Sequence, residues 1–281
     1  MAKRLLRRPL MVVGAAGVLA FVLVATLSDV IAPYPEDARG AVRVEERLQP
    51  PSFRHLFGTN EFGRDVFSLV VAGSRISLIV GTVTAAAAVG IGVTLGLIAG
   101  VIGGWLDELI MRLTDLFLSF PLLLLAMAIT MSLGPSLTNA MIAVAISWWP
   151  SYCRLVRGEV LSIRERPFIE SARAIGAGWV RLISKHVLPN VIGVVLVNIT
   201  LDIGLIILTT SSLSFLGLGA QPPTPEWGLI IATGRVQFLT QWWIVTFPGM
   251  VLFFVVLSFN LLGDGLRERF DPKLRYQRKG G

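Results

Sequence analysis

ISLIVGTVTAAAAVGIGVTLGLIAGVI, Ile76 to Ile102, runs for 27 residues without a charged side chain. Helix rises about 1.5 Å per residue, so about 20 apolar residues cross the roughly 30 Å of bilayer hydrocarbon with every backbone group paired inside the segment. The stretch reads as a membrane span, and the rest of the chain is read outward from it. Five further candidates follow the same rule: Pro9 to Leu27, Leu109 to Met131, Leu137 to Tyr152, Val187 to Leu208 and Trp242 to Leu262. Over all 281 residues, 54% are hydrophobic and 15% charged, with a mean hydropathy of +0.72. That is more apolar surface than one water-soluble core hides, which excludes a soluble enzyme. The net charge of +7 would fit nucleic acid, but the charges cluster between the apolar stretches, so no nucleic-acid partner is expected. Cys153 stands alone, and His55 and His186 are too few and too far apart for a zinc pattern, so neither a disulfide nor a metal site is expected. The fold expected is an all-α polytopic membrane protein with six transmembrane helices, forming one domain over residues 1–281.

Basic residues orient the chain. Lys3, Arg4, Arg7 and Arg8 precede the first span, seven more lie between Arg154 and Lys185, and six between Arg267 and Lys279. The six from Arg39 to Arg75 are balanced by Glu36, Asp37, Glu45, Glu46, Glu61 and Asp65. Both termini are therefore expected in the cytoplasm, with residues 1–8 and 264–281 as inner tails. Residues 33–75 form an outer loop and 153–186 an inner one. The first span lacks a small-x-small cleavage site and reads as a retained anchor. Trp148, Trp149, Trp242 and Trp243 fit interface positions.

Within the spans, Gly92, Gly96, Gly100 and Gly104 recur every four residues, extended backwards by Ala88 and Thr84. Lipid gives helices no hydrophobic reason to associate, so close backbone contact along such a smooth face reads as helix packing. Pro121 and Pro248 interrupt the third and sixth spans and read as kinks. An aspartate at the bilayer centre costs about 2.5 to 3.5 kcal/mol to insert, so Asp202, roughly 20 Å of helix beyond Pro189, needs a reason. Asn198 and Thr209 share its helix face, giving a polar stripe that suits a pathway wall. A hydrogen bond to a neighbouring helix explains Asp202 equally well, and the sequence leaves both readings open. Asp115, three residues after Arg112 and near the inner surface, reads as a local ion-pair partner or as snorkelling to the interface.

The inner loop carries an amphipathic helix. Arg166-Pro167 supplies a start, and Phe168, Ala172, Ile175, Trp179 and Ile183 recur at helical spacing beneath Glu170, Arg173 and Arg181. Gly176 and Gly178 weaken it midway, by about 1 kcal/mol each against alanine. On composition alone such a helix would rest on anionic lipid.

Glu170-Ser171-Ala172, then Gly176, then Leu188-Pro189 resembles the loop of ABC-importer permeases that reads glutamate, two alanines, three residues, glycine, nine residues, an aliphatic residue, one residue, leucine, proline. Ser171 replaces the second alanine, and His186 stands at the aliphatic position. HLFGTNEFGRDVFS (His55 to Ser68), SFLGLGAQPPTPEWG (Ser214 to Gly228) and FNLLGDGLRERFDPKLR (Phe259 to Arg275) narrow the resemblance to the C-type subunit of the dipeptide/oligopeptide/nickel group. It covers about 220 residues from His55 to Arg275, while the first 50 match only in their plan of anchor and outer loop.

The resemblance implies an inner-membrane importer subunit of a prokaryote, forming half of a translocation pathway with a homologous B-type permease. Two ATPase subunits would hold ATP and Mg, an extracytoplasmic solute-binding protein would deliver cargo, and the lipid bilayer would surround the spans. No cofactor or catalytic residue is assigned to this chain: none of its four lysines follows a glycine, so no phosphate loop is present. Glu170, Ser171, Ala172, Ile175, Gly176, Leu188 and Pro189 would couple the spans to the ATPase subunits, with Glu170 in polar contact across the joint. A gradient-driven secondary transporter using Asp202, or a membrane scaffold, are the alternatives, and cargo is open among peptide, nickel complex, glutathione and other small solutes.

Overall fold

The longest helix starts at Asp65, whose carboxylate accepts hydrogen bonds from the Ser68 amide at 2.7 Å and the Ser68 hydroxyl at 2.8 Å. In the computed structural model, which describes residues 9–174, 176 and 178–270 and gives only the backbone of 170–173, 179, 180, 269 and 270, eleven α-helices follow one another. They are α1 (Pro9–Thr26), α2 (Ser28–Ile31), α3 (Val66–Ile102), α4 (Gly104–Leu118), α5 (Leu122–Leu133), α6 (Leu137–Arg164), α7 (Pro167–Ala174), α8 (Trp179–Leu182), α9 (Leu188–Phe215), α10 (Trp227–Gly234) and α11 (Trp243–Phe270). Short 3₁₀ turns at Pro35–Arg39, Val44–Glu46 and Arg235–Gln237 and a π turn at Ile183–Val187 complete the described elements. Among the described residues the only strand-like pairing is an isolated bridge between Thr59 and Asp65.

Helix α3 is the spine. Its 37 residues measure about 55 Å, well beyond the roughly 30 Å of hydrocarbon. It packs most extensively along α6, while α11 packs on α1 and α9. Alanine and small polar residues let α3 and α6 approach, and Ala85, Ala88, Ala140, Ala143, Val144 and Tyr152 form the middle of the bundle with Ile206 and Leu213 of α9. On the other side Phe21 of α1, Trp227 of α10 and Phe259 of α11 meet at ring-centroid distances of 6.0 and 6.1 Å, in the tilted and edge geometries favoured by ring quadrupoles.

Among the described residues, four helices qualify as spans by length and apolarity: Pro9–Thr26, Val66–Ile102, Ile183–Phe215 and Trp243–Glu268. The expected count of six is therefore not reached by that criterion, for two physical reasons. The third expected span, Leu109 to Met131, is broken at Ser119–Pro121, where α4 and α5 meet at 91°, and it makes a fifth span only as a bent pair. Pro121 cannot donate to the ladder and disfavours helix at the residue before it. The fourth, Leu137 to Tyr152, is the first half of α6, and Trp148, Trp149, Pro150, Ser151 and Tyr152 dilute its apolar run before Arg154. Those two tryptophans and Tyr152 are buried by neighbouring helices, so α6 does not need a lipid-facing composition all round. Pro248, by contrast, sits inside α11 without ending it.

Two capping structures close opposite ends of the bundle. Residues 33–65 fold over the start of α3, and the loop with α7 closes the end where Leu97 and Val101 lie. Helix geometry therefore already begins at Val66, ten residues before the apolar run that announces the span.

Candidate functional site

The connection from α6 to α9 is anchored by buried apolar side chains, Ile169, Leu182 and Val187. The Arg166 amide donates to Ile163 O at 3.0 Å and the Ile169 amide to Arg166 O at 2.9 Å, turning the chain directly from α6 into α7. Ile169, only 2% exposed, then enters a cluster with Leu97 and Val101 of α3, Val156, Val160 and Ile163 of α6, and Val187, Val191 and Val195 at the start of α9. Three span ends thus meet in one cluster that Ile169 and the likewise buried Leu182 of α8 complete. Phe168, which the sequence placed on the apolar face, is exposed, and it lies 6.4 Å from the His186 ring. The one-residue rotation went unseen because the short helix starts at Pro167 and periodicity over eight residues tolerates either phase.

Glu170, Ser171 and Ala172 fall within α7, with their side chains outside the described residues, as is Ile175 altogether. Gly176 has φ +81°, in the left-handed region, and a Cβ there would meet nothing within 4 Å. Its constraint is backbone conformation, not space. Leu188 is half-buried against the Ile169 cluster, and Pro189 is exposed at the start of α9. The π turn just before it closes with the Leu188 amide bonding to Ile183 O, a widened turn that admits a residue lacking a donor.

The polar residues on α9 each have a hydrogen-bond partner within the chain. The Tyr152 hydroxyl of α6 donates to Asp202 Oδ2 at 2.6 Å, so Asp202 ties α6 to α9 across the middle of the bundle. Asn198 donates to Val194 O at 2.9 Å and Thr209 to Leu205 O at 2.8 Å, both within their own helix. Asp115 pairs with Arg154 of α6, and Arg112 turns instead to Glu108 one turn earlier. The local pairing read from sequence gave way because α4 packs beside α6 and offers Asp115 a cation there.

Of the glycine ladder, three positions face α6. A Cβ on Gly92 would lie 2.5 Å from Trp149 O, on Gly96 2.6 Å from Cys153 O, and on Gly100 2.7 Å from Val160 Cβ. Gly104 is not part of that seam. Both Gly103 and Gly104 have positive φ, +74° and +65°, the chain has already left α3, and a Cβ on Gly104 meets nothing within 4 Å.

Two polar clusters were not singled out from sequence, although both lie in stretches quoted above. In the first, His55 is fully buried, its Nδ1 3.0 Å from Asp65 Oδ1 and its Nε2 3.7 Å from Glu46 Oε2. The Asp65 amide donates to Asp37 Oδ2 at 2.7 Å, and Arg43 holds Asp37 and Glu36 at 2.9 and 2.6 Å. Burial pushes the Asp37 carboxyl up, against the opposing pull of the Asp65 amide and Arg43. The Trp243 indole reaches in from α11 to Thr59 O at 3.2 Å, so the cap at 33–65 is tied to the last helix as well as to α3.

In the second cluster Glu226 caps α10, its side chain accepting from the Leu229 amide at 3.0 Å and from the Ser211 hydroxyl of α9 at 2.6 Å. Trp227 donates to Val70 O of α3 at 3.0 Å, and Gly228 lies so close to Ser211 that any Cβ would strike its carbonyl. Burial pushes the Glu226 carboxyl up from 4.5, against the hydrogen bonds it accepts. The folded chain therefore holds this proton to higher pH than the unfolded chain, and the associated stability is complete below about pH 4.5 and is lost as pH rises through the folded value. Glu226→Gln keeps an acceptor for the helix start and removes the titration. The expected result is a thermal midpoint above that of the parent at pH 8 and a flatter pH profile between 4.5 and 8 for the purified membrane complex; Glu226→Ala is expected to lower the midpoint at both, since a lost cap costs about 1 kcal/mol.

Residues 92–276 match the profile described as binding-protein-dependent transport system inner membrane component. Residues 1–51 match the N-terminal TM domain of oligopeptide transport permease C, so the likeness also takes in the first 50 residues, where the sequence alone had offered only a similar plan. The dipeptide transport system permease protein of Alkalihalophilus pseudofirmus is 45% identical over 97% of this chain and 89% of its own length. The probable D,D-dipeptide transport system permease protein of Escherichia coli K12 is 44% identical over 94% and 88% respectively. The glutathione transport system permease protein of Pectobacterium atrosepticum is 40% identical over 97% and 90%.

Proposed function

From the premise that the chain belongs to the binding-protein-dependent transport system inner membrane components, and so is a permease component of an ABC-type importer, we propose that the α6–α9 connection is its joint with ATP-hydrolysing partners. The observation that carries this reading is Ile169. Ile169 shares one buried apolar cluster with residues at the ends of α3, α6 and α9, so displacing α7 disturbs the packing that joins all three. Two ATPase subunits, holding ATP and Mg, would grip α7 through Glu170, Ser171 and Ala172, with Gly176 allowing the chain to reverse beyond them. Closure of those subunits on nucleotide would draw the span ends and turn the pathway outward, and reopening would return it inward.

In this reading the protein is a multi-pass inner-membrane subunit with both termini cytoplasmic. It shares the pathway with a homologous B-type permease, and the cap at 33–65 receives a loaded solute-binding protein. The cargo is a short peptide or a peptide-like solute such as glutathione, the class carried in the names of its relatives. Asn198 and Thr209 lie on the polar side of α9, with Asp202 holding α6 and α9 together beside the pathway.

Glu170→Lys tests the joint. Charge reversal in a polar interface costs about 2–5 kcal/mol, enough for a tenfold or greater effect. In proteoliposomes carrying the full complex and loaded binding protein, uptake of labelled alanyl-alanine should fall tenfold or more, with ATP hydrolysis no longer stimulated by the binding protein. Unaltered uptake and stimulation would remove Glu170 from the joint.

A further inference from the structure

Helix α4 sits between two breaks. Before it come Gly103 and Gly104 in the left-handed region, and after it the 91° turn at Ser119–Pro121. Neither neighbouring helix therefore dictates its direction through a continuous backbone. Its position is set sideways, by α6 and by the end of α3, whose Leu95, Ile98 and Ala99 join the same apolar cluster. Ile110, Met111 and Phe117 pack with Trp149 and Cys153, the Phe117 and Trp149 rings meeting edge-on at 5.5 Å. Apolar contacts of this kind hold two helices together but discriminate weakly between registers.

Register comes from charge. Arg157 of α6 grips Asp107 through both arms, Nε to Oδ1 at 2.6 Å and Nη2 to Oδ2 at 2.8 Å, with the two side chains 31% and 17% exposed. The Arg154–Asp115 pair repeats the tie two turns along α4. A bidentate guanidinium–carboxylate pair fixes angle as well as distance, and partial burial shields it from salt. Both arginines lie on the stretch of α6 that runs directly into α7.

We propose that α4 is a strut carried by α6, and that Arg157 is the positioning residue that makes it follow the α7 joint, passing displacement across the Pro121 turn into α5. Rigid elements linked by discrete contacts and flanked by breaks move as bodies, and here the glycine break leaves only apolar packing between α3 and α4, while directional ion pairs bind α4 to α6. The proposal rests on the coupling reading above, and it assigns that reading a second moving part.

Spin labels on the exposed positions Leu113 of α4 and Phe168 of α7, with the buried Cys153 changed to serine, report whether the two helices move together. A second pair, Phe168 with Val42 of the cap, reports whether α7 moves at all. The full complex is measured without nucleotide and trapped with ATP and vanadate. The Leu113–Phe168 distance should stay within about 1 Å while the Val42–Phe168 distance shifts by about 2 Å or more. In Arg157→Gln the Leu113–Phe168 distance should itself shift by about 2 Å or broaden, with ATP hydrolysed per alanyl-alanine imported rising about tenfold, and the exchange Asp107→Arg with Arg157→Asp should restore both. Arg157→Lys, which keeps the charge and loses the second arm, serves if the glutamine variant does not assemble, and it should broaden the distance in the same direction. A Leu113–Phe168 distance that changes in the parent, or stays fixed in both variants, overturns the strut. An unmoving Val42–Phe168 distance overturns the coupling reading itself.

Discussion

Gly96→Leu is expected to abolish recovery of folded, membrane-integrated protein, whereas Gly90→Leu on the same helix is expected to leave it near the parental level. The difference lies in what each side chain meets. At Gly96 the first added carbon already stands 2.6 Å from Cys153 O, 2.9 Å from Val156 Cβ and 3.2 Å from the Arg157 amide, so it opposes backbone on a second helix. At Gly90 nothing lies within 4 Å. Over-packing a tight core by a methylene or two typically costs about 1–3 kcal/mol, and an isobutyl group aimed at backbone exceeds that because no rotamer relieves it. Separating α3 from α6 also loosens the Ile169 cluster, which spans that seam. Gly90→Leu raises helix propensity by nearly 1 kcal/mol without touching a neighbour. Fluorescence-detected size exclusion of tagged protein from solubilised membranes reads both; similar profiles for the two variants would mean that the α3–α6 seam has room for a side chain at Gly96.

Asp65→Ala should release the cap at 33–65 while leaving the spans assembled. One carboxylate there accepts from the Ser68 amide and hydroxyl and faces His55 Nδ1. Its removal takes away a helix cap worth about 1 kcal/mol and strands a fully buried imidazole, adding about 1–3 kcal/mol. Tyr34 should follow, since its amide donates to the Ser68 hydroxyl at 3.1 Å and its ring lies 5.1 Å from His55. Asp65→Asn, which keeps a cap acceptor, should fall between the parent and alanine. Hydrogen exchange at the Tyr34 and Asp65 amides should accelerate by one to two orders of magnitude in the alanine variant, about 1.4 kcal/mol per tenfold. Unchanged protection would show that Arg43 and Trp243 hold the cap without Asp65.

The sequence disclosed what local rules govern. Long uncharged runs announced the spans, the Gly92–Gly96–Gly100 period announced a seam without naming its partner, and Pro121 marked a break. What it hid depends on partners far away in the chain. Asp37 meets the Asp65 amide 28 residues on, Asp202 meets Tyr152 across 50, and Trp243 meets Thr59 across 184. None of these pairings has a spacing signature. Asp115 shows the cost of reading locally: Arg112 is one turn away, yet the cation it meets is Arg154 on another helix. α6 escaped the span rule for a related reason, since its tryptophans and Tyr152 are buried by neighbours that the sequence does not place beside it. For the α6–α9 connection, its existence, helical nature and resemblance were legible, but the phase that buries Ile169 and exposes Phe168 was not.

That phase supplies the decisive measurement. Phe168 is exposed on α7, and benzoylphenylalanine replaces phenylalanine with little change in shape. With the photo-reactive residue at 168 in the complete complex in native membranes, the account predicts a crosslink to an ATP-hydrolysing subunit, intensified by nucleotide. Crosslinks to phospholipid alone, in membranes that still import alanyl-alanine at the parental rate, would contradict it.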